Sequence, residues 1–268
     1  MKLIVLGTGH SMATECFNTC FAIENKNKYF LIDSGGGQAI LKQLKNAHIS
    51  IEKIKAVFIS HTHIDHILGL IFIIRSLLPK YFKNKITEEL KIYGNDKVIC
   101  TLKRLTSLLM PSDFEETLNN KIIFEIVKND ETKMIIDHKV NFFDIQASKV
   151  KQFGFVMNLL ENKKFTFIGD ECCSVSSYKY IENSEWLFAD AYMAGNEAEK
   201  YNPMTHHHHS TVAFTASIAE KFKIKNLILS HTIDTDLDNR KKKFTKDASK
   251  YFRGNIYVPN DNEIIKLY

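Results

Sequence analysis

SHTHIDH, residues 60–66, follows the apolar run KAVFI, residues 55–59, and overlaps the helical pattern IDHILGLIFIIRSLL, residues 64–78. Side chains at i and i+2 of an extended chain point the same way, so His61 and His63 can converge on one ion. The chain then turns into a helix, whose first turn projects Asp65 and His66 toward a second position. Imidazole and carboxylate suit Zn²⁺ and comparable divalent ions. A plain polar loop ahead of an amphipathic helix has no need of four potential ligands in six positions at a strand-to-helix junction. The stretch therefore predicts a metal site at the C-terminal end of a strand.

Outward from it, short β-type runs recur: KLIVLG, CFAIEN and KYFLIDS before the motif, then KIIFEIV, FTFIGD, EWLFAD and NLILSH after it. Helical periodicity lies between them in GQAILKQLKNA and STVAFTASIAEKFKI. The first third reads β-β-β-α-β-α and the last third repeats β-α-β, an order that two sheets sandwiched between helices accommodate. This predicts an α/β fold in a single domain, residues 1–268, with a helical insertion around 80–121 that reads as a strand plus a helix. With 44% hydrophobic and 25% charged residues, the 268-residue chain can bury a substantial core. A net charge of +5 suits anionic substrates but is too weak to declare a nucleic-acid binder. No run reaches the ~18 apolar residues of a membrane-spanning helix, and the start MKLIVLGTGH lacks a signal-peptide pattern. Five cysteines without paired Cys-x-x-Cys spacing read as free thiols, so a cytoplasmic location without membrane partners is expected.

SHTHIDH resembles the HxHxDH motif of the metallo-β-lactamase fold superfamily. The resemblance runs through LIVLGTG, LIDSGGG, FTFIGD and NLILSH across nearly the whole chain. It implies a four-layer αββα sandwich and two divalent metal ions, Zn²⁺ foremost with Mn²⁺ or Fe²⁺ as alternatives. By the family pattern His61, His63 and Asp170 hold the first ion. Asp65, His66 and His231 hold the second, Asp170 bridges both, and Asp33 supports a ligand from behind. One position departs from the pattern. Ahead of the aromatic-Gly-aromatic stretch in SKVKQFGF, residues 148–155, Ser148 stands where the family places another ligand histidine. His138, ten residues earlier, is a weak substitute, and a weakened first site is expected.

Within the superfamily, LGTGHSMATECFNTCFAI with Asn18 and Thr19, and LIDSGGGQAILKQL, resemble the ribonuclease Z and phosphodiesterase-like branch. HST, residues 209–211, resembles its catalytic His-x-Thr, and LFADAYM its His-Glu-Ala-Thr, with Asp190 in the glutamate position. This implies a metal-dependent phosphodiesterase with Asp65, His209 and Asp190 as catalytic residues. Two metals lower the pKa of water, and His209, oriented by Asp190, serves the leaving group. The Gly/Pro-rich arm of the tRNA-processing enzymes is missing, so a small phosphodiester fits at least as well as RNA. The basic stretch NRKKKFTKDASKYFRG, residues 239–254, reads as a solvated helix face. A degenerate metal- or ligand-binding member and a lactone or thioester hydrolase are the alternatives, and a homodimer is compatible. In MTHHHHST, residues 204–211, His209 takes the catalytic position while His206, His207 and His208 form the loop that delivers it.

Overall fold

The computed structural model describes residues 1–195 and 209–268. Among the described residues, fourteen strands form two seven-stranded sheets. The first runs β14 (Ile264–Lys266), β1 (Lys2–Gly7), β2 (Cys20–Asn25), β3 (Lys28–Ile32), β4 (Ile54–Phe58), β5 (Leu90–Gly94) and β6 (Ile122–Ile126). The second runs β13 (Asn255–Tyr257), β12 (Asn226–Ser230), β11 (Trp186–Asp190), β10 (Lys164–Phe167), β9 (Phe153–Asn158), β8 (His138–Asp144) and β7 (Glu131–Ile135).

The strand period of two sorts side chains between separate cores. Leu3, Val5, Phe21, Ile23, Phe30, Ile32 and Phe58 point between the sheets. Their neighbours Ile4, Leu6, Ala22, Leu31 and Val57 point to an outer layer made by α1 (Ala39–Asn46), α2 (Ile64–Phe82), α3 (Asp96–Leu109) and α4 (Glu115–Lys121). On the other side, Leu187, Ala189, Leu227 and Leu229 meet the helices Val212–Lys221 and Leu237–Ala248. The result is the four-layer αββα sandwich. Phenylalanines dominate the inter-sheet layer: Phe21 stacks on Phe188 at 4.3 Å, and the buried Phe155 ring has Phe30, Phe58, Phe165 and Phe167 within 5.5–6.0 Å. Such separations are favourable for offset or edge-on aromatic pairs.

The segment around 80–121 is woven into the sandwich rather than appended to it. Its strand β5 pairs in parallel with β4 on one side and β6 on the other, and α3 and α4 cover the same face as α2. The helical periodicity of 96–118 outweighs the five-residue strand in the sequence, which makes the segment look peripheral. β13 and β14 are three residues long, and β7 has a half-exposed face, so neither shows a clean alternation in sequence. No helix among the described residues is long and apolar enough to cross a membrane.

β3, β4, β5 and β6 are mutually parallel, as are β10, β11, β12 and β13. Parallel pairing brings the C-terminal ends of β3, β4, β10, β11 and β12 to one edge of the sandwich, where Asp33, His61, Asp170, Asp190 and His231 follow. Replacing Phe155 by alanine should remove about 3–5 kcal/mol of stability. Urea denaturation of the metal-free protein checks this through a lowered midpoint at unchanged slope.

Candidate functional site

Between β4 and α2 the chain runs extended through His61 and His63, and His63 caps the helix with φ −63° and ψ 147°. The two imidazoles converge, with His61 Nε2 2.8 Å from His63 Nδ1. Asp65 and His66 follow in the first helical turn, both buried. This loop is fastened from behind by Asp33, which sits at φ +54° just after β3. Asp33 Oδ1 accepts the Ser60 backbone N–H at 2.8 Å, and its Oδ2 lies 2.8 Å from His66 Nδ1. Protonation of Nδ1 toward Asp33 leaves His66 Nε2 to face the site. Ser60 Oγ links Asp33 at 2.9 Å to His61 Nδ1 at 2.9 Å, so the same carboxylate orders both rings. The close approach of α2 to this loop needs Gly69, since a Cβ there would lie 1.8 Å from the Ser34 carbonyl oxygen.

Asp170, after β10, occupies the middle. Its Oδ2 lies 3.6 Å from His61 Nε2, 3.3 Å from His66 Nε2 and 3.5 Å from His231 Nε2. Asp65 Oδ2 lies 3.1 Å from His66 Nε2 and 3.6 Å from His231 Nε2. Donors arranged tetrahedrally around an ion at about 2.1 Å stand roughly 3.4 Å apart, and these separations match. Three sets of ligand atoms lie within 4.8 Å of one another and could each hold a cation: His61, His66 and Asp170; Asp65, His66 and His231; and Asp170, His209 and His231. Asp65 Oδ2, His66 Nε2 and His231 Nε2 are buried and, among the described residues, lack a hydrogen-bond partner. Buried polar atoms are seldom left so, and these three are the ones a divalent ion would satisfy.

The electrostatics carry the same imprint. Burial is the largest influence on every group here, and His61 follows it, its pKa pushed down to about 3. Burial also opposes charge on His231, but the nearby Asp190, Asp65 and Asp170 carboxylates outweigh it and lift its pKa to about 10. His66 is raised by Asp65 and Asp33 in the same way, against burial. Asp65 and Asp170 are correspondingly held below the usual carboxylate range by these imidazoles although burial pulls upward.

His209 stands beside this cluster. Its Nδ1 lies 2.7 Å from the Asp170 carbonyl oxygen and 3.3 Å from Asp190 Oδ2, and its ring stacks on His231 at 4.9 Å. Asp190 is fully buried at the end of β11; its Oδ2 accepts the Ser210 N–H at 2.6 Å, and its Oδ1 lies 3.6 Å from His231 Nδ1. One carboxylate thus braces two histidines. Burial works against a charged His209, and the neighbouring Asp190 reverses that and raises its pKa. Thr211 caps the helix Val212–Lys221 through its side chain, which fixes where His209 leaves the loop. His206, His207 and His208 lie outside the described residues.

Ser148 is not directed at the cluster. It is exposed on the surface, and its N–H and Oγ bond to Glu171 at 3.0 and 3.3 Å. His138 begins β8 and bonds the Asn158 carbonyl at 2.8 Å, on another part of the sheet. Instead a residue that the motif pattern passes over, Gln152, enters from the start of β9, completely buried, with its Nε2 2.5 Å from Asp170 Oδ1. Sequence reasoning also misses His10 and Tyr192, which continue the ring column outward. His10 meets Tyr192 edge-on at 5.3 Å, and Tyr192 stacks on His209 at 5.1 Å. The only signal for His10 is its place after the Gly-Thr-Gly turn. In the basic stretch, Arg240 is buried rather than solvated, donating to Thr8 Oγ1, Thr232 Oγ1 and the Pro259 carbonyl at 2.8–2.9 Å.

A family model described as anti-Pycsar protein Apyc1 matches residues 1–248. The chain belongs to the Apyc1 family. Among curated relatives, ribonuclease Z of Picrophilus torridus is 28% identical over 274 residues, covering 86% of this chain and 85% of that one. Among solved structures, the metallo-β-lactamase fold protein YhfI of Bacillus subtilis superposes with a TM-score of 0.74 at 17% identity, over 98% of both chains. The human tRNase Z short form gives 0.74 at 18% identity over 100% of both. The Apyc1-family chain is a hydrolytic enzyme of the metallo-β-lactamase superfamily, close to ribonuclease Z.

The raised pKa values of His66 and His231 have a consequence for ion uptake. A ligating imidazole must be neutral, so an ion held by these rings would displace the protons they otherwise carry. Apparent metal affinity should therefore fall as pH drops from about 8 to about 6. Calorimetric titration in buffers of differing ionisation enthalpy should register proton release with each ion bound.

Proposed function

We propose that this chain is a dinuclear metal-dependent phosphodiesterase acting on a small phosphodiester such as a cyclic nucleotide. The observation that carries the reading is the placement of Asp170 Oδ2 within 3.6 Å of His61, His66 and His231 Nε2, one carboxylate oxygen shared by two ligand sets. His61, His63 and Asp170 would hold the first ion, and Asp65, His66, His231 and Asp170 the second. Zn²⁺ suits this donor set, with Mn²⁺ and Fe²⁺ as alternatives. Bound there, the ions supply charge for the phosphoryl oxygens and a water of lowered pKa.

The chain's own residues supply the remaining chemistry. With Nδ1 committed to the Asp170 carbonyl and Asp190, His209 presents Nε2 as the atom that carries a proton. Asp190 favours the charged ring, so His209 is poised to donate that proton to a departing alkoxide. Asp190 also steadies His231, so the acid and one metal ligand are positioned by the same buried group.

The β8–β9 and β9–β10 connections, residues 145–152 and 159–163, support a small substrate. Neither contains glycine or proline, so there is no Gly/Pro-rich arm here to clamp a tRNA. The basic stretch near the C-terminus spends Arg240 on internal contacts and Lys241 on Glu263, which reduces its appeal as an RNA surface. A second reading, a member that binds metal with little turnover, rests on Ser148 pointing away from the site. Metal analysis paired with hydrolysis of cyclic nucleotides and bis(p-nitrophenyl) phosphate separates the two. At most one ion and no turnover would sink the phosphodiesterase.

Asp170→Ala and His61→Ala are expected to abolish hydrolysis, whereas His206→Ala retains most of it. Near-wild-type turnover in Asp170→Ala defeats the shared-ligand assignment. His209→Ala should lower turnover of an alkoxide-releasing cyclic nucleotide by about 10²–10⁴-fold. It should affect bis(p-nitrophenyl) phosphate far less, because p-nitrophenolate departs without a proton. Equal losses on both substrates would remove the acid role.

A further inference from the structure

Gln152 reaches into the metal cluster itself, yet neither the metal motif nor the acid–base pair accounts for it. It is completely buried one residue ahead of β9. Its Nε2 donates to Asp170 Oδ1 at 2.5 Å and lies 3.2 Å from His61 Nδ1. The orientation of the carboxamide is dictated by charge, since turning it over would set Oε1 against the ionised Asp170 oxygen. In the orientation adopted, Oε1 is buried and, among the described residues, has no hydrogen-bond partner. Leaving such an oxygen unsatisfied is costly, and the bond made by the donor end offsets that cost. The backbone makes room for it. Gly169 has φ +76°, and a Cβ there would lie 2.4 Å from Gln152 Nε2, so only glycine lets the amide reach the following aspartate.

We propose that Gln152 is a positioning residue of the metal centre: its N–H ties down Asp170 Oδ1, so that Oδ2 alone is presented to both ions. This rests on the dinuclear reading above but not on any catalytic turnover. It also explains how the chain keeps an ordered centre although Ser148 stands on the surface. A bridging carboxylate free to rotate could chelate one ion with both oxygens and abandon the other. With Oδ1 held, the only free oxygen is the one lying 3.3–3.6 Å from the three ring nitrogens. Supporting hydrogen bonds of this kind commonly govern metal affinity by about 10–100-fold.

The test is ion affinity, measured by chelator competition on Gln152→Leu and Gln152→Met, which keep the side-chain volume and remove the donor. Because Asp170 serves both ligand sets, both ions should weaken by about 10–100-fold. The visible spectrum of the cobalt-loaded protein should change with them. Melting of the metal-free variants shows that they fold, and either variant alone suffices for the measurement. Unchanged affinity overturns the proposal and reduces Gln152 to a space-filler. Weakening of the first ion with the second untouched also overturns it, because that pattern marks Oε1 as a ligand of the first ion. A wild-type protein that takes up one ion is decided in the same way, by whether the variants weaken it. Two ions bound without hydrolysis would defeat the phosphodiesterase and leave the role of Gln152 standing.

Discussion

Four carboxylates, Asp33, Asp65, Asp170 and Asp190, are buried along the edge where the two sheets meet. Buried charge is tolerated only with close partners, and here the partners are imidazoles. Asp33 answers His66, Asp65 and Asp170 answer His66 and His231, and Asp190 answers His209 and His231. The arrangement leaves ring nitrogens and an aspartate oxygen unsatisfied at its centre. A divalent cation held there would satisfy these atoms together.

That array exists because the sandwich delivers five strand ends to one place. The phenylalanine layer between the sheets sets their separation, and parallel pairing sets the direction of the strands. Asp33 and His231 both take left-handed backbone, at φ +54° and +57°, directly after their strands. Strain of this sort persists only where the surroundings over-determine it, and both residues are held by buried partners. Gly69 lets α2 approach the Asp33 loop closely enough for Asp33 to reach His66.

Much of this was legible from the chain itself. Strand-terminal polar residues after apolar runs marked Asp33, Asp170, Asp190 and His231, and SHTHIDH marked the ligand cluster. The succession of periodic segments was compatible with two sheets between helices, and the family resemblance of the motifs implied the αββα order. Other features were not legible, for physical reasons. β5 is short and flanked by helical pattern, so its place inside the sheet depends on neighbours far away in sequence. Arg240 sits in a run of lysines and looks solvated, yet Thr8 and Pro259 draw it inward. Gln152 bears no motif, since a carboxamide announces a role only through what it touches.

The sequence by itself determined which residue types stand at the ends of which strands, and that a metal-ligand cluster would form at the strand-to-helix turn of SHTHIDH. Local spacing suffices for that, because period two and the strand-to-helix turn act over a few residues; the hydrolase reading came from the family resemblance of the motifs. The tertiary structure decided which oxygen of Asp170 faces the ring nitrogens, that Asp190 serves two histidines, and that Ser148 turns outward while Gln152 turns in. Those outcomes depend on distances between residues 18 to 109 positions apart, which only the packing of the two sheets establishes.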